Sequence, residues 1–258
     1  MKPQGLSYRR ARGIVAMLGA LVLGGCAAHV EGLLVDEQFS HQSVVQGRLA
    51  IGGVVSVDGN LTGPLRNRYA GMFLREIRKE RSTYPLISAG QVELKVGSEY
   101  PIALDDYRYI NTLSAHNLGL FRNAVIGARY ILFSRIEGTT VQESREDEEI
   151  IKQDDLGNII EEYVQVTLTR TRRVTAVVNI FDLETGASVW SGELSQRRSN
   201  NNEYRIDKDE RFEGALISAV INTLLFGDTG REYPDPPEFD EVLKAVFHGF
   251  AENFPEAE

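Results

Sequence analysis

The chain of 258 residues carries 28 Lys and Arg against 37 Asp and Glu, a formal net charge of −9, with 42% hydrophobic residues. That acidic balance argues against nucleic acid as a partner, because phosphate contacts need clustered Lys and Arg. A single cysteine excludes an intramolecular disulfide, and no repeat at solenoid or propeller periods is present.

In chain order, Lys2, Arg9, Arg10 and Arg12 precede an apolar segment from Ile14 to Leu23, and no acidic residue occurs before Cys26. A basic region, a short apolar core and small residues are the parts of a secretory signal. The segment is about half the roughly 20 residues that span a bilayer. "LGGC", Leu23 to Cys26, resembles a bacterial lipobox. That resemblance implies cleavage between Gly25 and Cys26 and attachment to a membrane through acyl chains on Cys26. Arg12 stands where a twin-arginine motif wants an apolar residue, so general secretion is the expected route. Ala27, in place of Asp, implies by resemblance sorting to the outer membrane with the domain facing the periplasm. Each buried methylene of an acyl chain adds about 0.8 kcal/mol of anchoring. Without residues 1–25 the chain retains 24 basic and 37 acidic residues, a net charge of −13, and is long enough for one sizeable domain.

Residues 26–46 read as the acylated cysteine and a tether. Arg48 to Val57 is an apolar strand closed by the turn signal Asp58-Gly59-Asn60. Thr62 and Pro64 then open a helix with Leu65, Tyr69, Met72, Phe73 and Ile77 on one face and Arg66, Arg75, Lys79 and Arg81 on the other. Tyr84 to Leu94 reads as a second strand, and a helix is expected from about Asp105 to Ala124. Ala128 to Val141 is a buried strand that continues into an acidic stretch, Glu143 to Asp155, and the turn signal "DDLGN". The chain returns through a long strand whose even positions run from Val164 to Ile180, apolar at both ends with Arg170 and Arg172 between. "LETG", Leu183 to Gly186, makes a hairpin with "ASVWSGELSQ". Phe212 to Gly227 reads as a buried helix. After the Pro-rich linker, Phe239, Val242, Leu243, Val246, Phe250 and Phe254 form the stripe of a terminal amphipathic helix. The fold class is therefore α/β: a mixed β-sheet with helices packed on it, long hairpins and an appended helix.

The lipobox, the "AIGGVVSV" strand before a long helix, "GARYILFSRIEG" and "VVNIFDLETGASVWSGELS" together resemble one superfamily of outer-membrane lipoproteins. It includes the curli-secretion component and a penicillin-binding-protein activator (CsgG/LpoB-like), with related polysaccharide-export lipoproteins. The resemblance implies an anticodon-binding-domain-like sandwich and a non-enzymatic role in assembly, secretion or activation, through an envelope protein partner or a homo-oligomer. The implied division is a signal peptide over 1–25, an anchor and tether over 26–46, the α/β domain over 47–228 and linker plus helix over 229–258. Asp182, Thr185 and Gly186 read as turn formers and Trp190 as a space filler. Within Val141 to Glu162 neither alternate register is apolar, which argues against a lipid-facing strand.

Chemistry is sparse. His29, His41, His116 and His248 lie at no metal-ligand spacing, so no metal or other cofactor is expected. No nucleophile elbow or phosphate-cradling loop is present, and no small-molecule substrate is evident. Carboxylate pairs such as Glu143 and Glu162 read as solvated hairpin edges. Two features could bind. The first is basic: Arg170, Arg172 and Arg173 on one strand, Arg197 and Arg198 on the next, with Arg172 expected nearly opposite Arg197. Either Glu143 and Glu146 compensate these charges, or the patch reads an anionic polymer or an acidic partner. The second is the terminal stripe of Phe239, Val242, Leu243, Val246 and Phe250, which docks on its own domain or in a neighbour's groove.

Overall fold

The computed structural model describes residues 30–125, 127–207 and 232–257. The lipobox and the helix expected over Phe212 to Gly227 lie outside the described residues. Strand β1 (Glu31–Val35) and helix α1 (His41–Gly47) lead into β2 (Leu49–Ser56) and α2 (Gly63–Glu80). A two-residue strand β3 (Leu86–Ile87), α3 (Ala89–Val96), a 3₁₀ turn, α4 (Tyr100–Ile110) and α5 (Ala115–Ala124) follow. Three long strands, β4 (Tyr130–Gln153), β5 (Ile159–Asp182) and β6 (Ser188–Asp207), then precede α6 (Phe239–Glu252). They form a six-stranded mixed sheet in the order β1-β6-β5-β4-β2-β3. β2 pairs in parallel with β3 and β4, and the remaining pairs are antiparallel. The α/β class holds.

Helices cover both faces of the sheet's base. On one face Phe73 and Ile77 of α2 and Val242, Leu243, Val246, Phe247 and Phe250 of α6 pack with Val174, Ala176, Val178 and Ile180 of β5 and Trp190 of β6. On the other, Tyr100, Leu104 and Tyr107 of α4 and Phe121 of α5 pack with Ile131, Phe133 and Phe181. Gly52 lets this second layer close: a Cβ there would overlap the Phe133 ring, and Tyr100 donates its hydroxyl to Gly52 O at 2.8 Å. Burial pushes the Tyr100 and Tyr107 hydroxyls above their ordinary range. Both remain neutral donors and acceptors.

Four expectations change. The strand expected over Tyr84 to Leu94 is only Leu86–Ile87, after which Ser88 and Gln91 form a capping box that starts α3. The helix expected near Asp105 to Ala124 is two, because left-handed Asn111 ends α4 and Ser114 caps α5. The tether is folded from Val30 onward: β1 adds to the edge of β6 and Ser40 caps α1. Arg81, read as a solvent-facing residue, is buried. Its guanidinium donates to Phe254 O and Glu252 O, at 2.7 and 2.6 Å, and fastens the end of the chain.

Beyond the helices the sheet continues as a ribbon. β2 pairs with β4 only as far as Ile136, whereas β4 runs to Gln153. At roughly 3.3 Å per residue, β4 to β6 therefore project on the order of 50 Å past the two helical layers.

Candidate functional site

The ribbon has two unlike faces, fixed by the two-residue period of its strands. On the face continuous with α2 and α6, Val164, Val166 and Leu168 make a small apolar cluster with Tyr204, Ile206 and Tyr233. Residues 232–237, expected to be a free linker, lie along this face. Tyr204 donates to Glu232 O at 2.8 Å, Asn200 to Asp235 O at 2.8 Å and Arg172 to Pro237 O at 2.6 Å. The Arg170 guanidinium sits 5.7 Å from the Tyr233 ring centre and pairs with Glu143. Pro234, Pro236 and Pro237 carry no backbone N–H and cannot complete a strand ladder here, so side-chain donors to the segment's carbonyls hold it instead.

On the opposite face hydroxyls form a ladder, with Thr171 and Ser199 2.8 Å apart and Thr175 donating to Ser195 at 3.0 Å. Arg173 lies directly across from Arg197. Neither has an ion-pair partner among the described residues, and with Thr140, Gln142 and Thr171 they line an open cleft. The register differs by one from the expected facing of Arg172 and Arg197: Arg172 lies across from Arg198. A shift between Ile180 and Phe181 accounts for it. The five arginines thus divide between faces. Arg170, Arg172 and Arg198 share the face along which residues 232–237 lie, where Arg170 and Arg172 have partners; Arg173 and Arg197 face solvent. Of the two expected acidic partners Glu143 engages Arg170, while Glu146 lies across from Thr167. Glu143 and Glu162 are eight residue positions apart along β5, about 26 Å, too far to share a reacting atom.

The end of the ribbon exposes apolar side chains among polar ones. The turn is built on Asp154, which accepts from the backbone N–H groups of Leu156 and Asn158, at 2.9 and 2.8 Å. The Asn158 side-chain amide, which also donates to it at 2.9 Å, and these backbone bonds hold its carboxyl below the usual range. Leu156 is 87% exposed and Ile160 65%, with Ile159 and Ile151 beside them.

The terminal stripe does not join the exposed surface. Val242, Leu243, Val246 and Phe250 are fully buried in their own chain and Phe239 packs at the margin, with Phe73 and Phe247 stacked at 4.4 Å. The hairpin residues behave as read. Asp182 accepts from the N–H groups of Glu184 and Thr185, Gly186 takes a positive φ of 82°, and Trp190 packs edge-on against Phe254 at 5.1 Å. Cys26 and Gly25 lie outside the described residues. Among the described residues, no helix is long and apolar enough to cross a membrane.

No protein-family model matches the chain, and no curated protein matches it significantly. Among solved structures it is similar to the PelC dodecamer from Paraburkholderia phytofirmans, at 14% identity over 89% of this chain and 99% of that one, TM-score 0.30. It is similar to the LpoB C-terminal domain from Salmonella enterica at 16% identity over 61% and 96% of the two chains, TM-score 0.32. Lipoprotein GNA1162 from Neisseria meningitidis matches at 12% identity over 69% and 97%, TM-score 0.29. Likenesses at these identities and scores assign neither a family nor an activity.

Proposed function

We propose that the protein is a lipid-anchored envelope component, held at the outer membrane through Cys26, that works by protein contact and not by catalysis. The ribbon is its contact arm. The observation that carries this reading is the set of exposed apolar side chains at the ribbon's end, Ile151, Leu156, Ile159 and Ile160, which no helix among the described residues covers: isoleucines and a leucine ringed by polar residues resemble the anchor of an interface inside a polar rim. Charged residues on both ribbon faces, Glu143 and Arg145 beside the Val164 cluster on one and Arg173 and Arg197 on the other, favour an arm in the aqueous periplasm over a membrane-inserted hairpin.

A photo-crosslinking residue at position 156, introduced into the full chain in cells, tests the arm. A discrete product with a second protein, weakened by Ile160→Asp, is expected. Products with lipid only, or none, would overturn it.

A second reading, a polysaccharide-export accessory that guides an anionic polymer, draws on the solvent-facing pair Arg173 and Arg197. Retention on immobilised polygalacturonate, lost in the Arg173→Glu, Arg197→Glu double variant, would favour it over the arm.

A further inference from the structure

We propose that the C-terminal ends of α2 and α6 form a binding site for a first-row divalent cation, Zn²⁺ by preference, with Glu76, Glu80 and the Nδ1 atom of His248 as protein ligands. Glu76 and Glu80 are one turn apart on α2, and His248 and Glu252 one turn apart on α6, so each pair shares a helix face. The helices run in parallel: Arg68 and Tyr69 near the start of α2 engage Asp240 at the start of α6, and Arg81 after α2 engages the end of α6.

The distances suit a metal better than a hydrogen bond. His248 Nδ1 is buried and has no hydrogen-bond partner, although Glu80 Oε1 stands 3.3 Å away and Glu76 Oε2 3.6 Å. At 3.3 Å an oxygen on the N–H axis would be bonded, so the ring axis misses it. Ligands of a tetrahedral zinc with bonds near 2.1 Å lie about 3.4 Å from one another, which the two separations from Nδ1 match, and ligand atoms of Glu80, His248 and Glu252 all lie within 4.8 Å of one another. On the other side of the ring, Glu252 Oε1 stands 3.3 Å from Nε2, where a carboxylate orients a metal-bound imidazole by accepting its remaining N–H.

Charge points the same way. The Glu76 side chain is only 8% exposed, and its counter-charges stand no closer than 3.6 Å. The ammonium groups of Lys79 and Lys244 reach it only at 3.9 Å and are themselves mostly exposed; Lys79 stands 3.6 Å from Glu80. Two helix C-termini, each with a partial negative charge, end at Glu80 and Glu252 beside the three carboxylates. Arg81 answers part of this by donating to Glu80 O and Glu252 O, but its ion pair is with Glu256. A dication between His248 and the two α2 carboxylates supplies the rest and pins α6 to α2.

Calorimetric titration of the full acylated chain in detergent with Zn²⁺, with Mg²⁺ as comparator, tests the site. One Zn²⁺ per chain at micromolar affinity or tighter is expected, with no matching response to Mg²⁺, and slower amide exchange across Phe239–Glu252. His248→Gln should weaken binding at least tenfold, and Glu252→Gln by about tenfold with the stoichiometry kept. Absence of one-to-one Zn²⁺ binding in the wild type overturns the proposal. So does binding unchanged in His248→Gln, which would place the ion elsewhere, for example at the exposed His116 and Glu99. The wild-type titration and the Glu252→Gln variant decide the matter even where His248→Gln does not fold.

Discussion

Arg173 and Arg197 face each other across a β-ladder without an ion-pair partner among the described residues, an arrangement that costs stability. Arg197→Ser should therefore raise the urea midpoint, by about 0.2–1 kcal/mol in free energy, while reducing any retention on an anionic polymer. A fall in stability would mean the pair has a stabilising partner. Arg81 is the opposite case. Arg81→Met removes the donors for Glu252 O and Phe254 O, and should cost on the order of 3 kcal/mol in denaturant unfolding, because buried acceptors are left unpaired. Asp58 sets a pH dependence. The Ser56 hydroxyl, with the Asn60 N–H, holds its carboxyl below the ordinary range. A depressed carboxylate contributes stability above its unfolded value, and loses that contribution as pH falls through its folded value. Asp58→Asn should accordingly be less stable at neutral pH, and its stability should fall less between about pH 5 and pH 2, measured by urea unfolding at several pH values.

The elements divide into those that pattern alone could read and those that needed packing. α2 and α6 were legible because their apolar positions recur at one clear period, and β2 because a continuous apolar run ends at a turn signal. "LISAGQVEL" was not: its alternation imitates a strand, while the Ser88 and Gln91 capping box, present in the letters, starts a helix. The arginine cluster was legible as basic but not as two faces, since one shifted residue near Phe181 exchanges every side chain beyond it. The site at His248 was illegible, because its carboxylates come from a helix about 170 positions earlier. Trp190 ties the readable hairpin to the helix. Trp190→Ala should cost about 3–5 kcal/mol, through a cavity against Phe250 and Phe254, and should speed amide exchange in α6 more than in α3. Equal acceleration in both helices would mean that the two layers unfold together.

At the scale of the molecule, the proposed anchor and arm together set a geometry of encounter. Cys26→Ser should move the protein from the membrane to the soluble fraction on envelope fractionation, with its melting temperature unchanged. Folding from Val30 onward has a consequence for that anchor. Only four peptide units separate Cys26 from Val30, so the leash is at most about 15 Å. With Cys26 acylated, the domain rides on the lipid surface and diffuses in two dimensions, and its ribbon sweeps a shell within reach of that surface. On that reading a partner meets it by approaching the membrane, and the local concentration each presents to the other is set by a short leash and not by a long flexible cord.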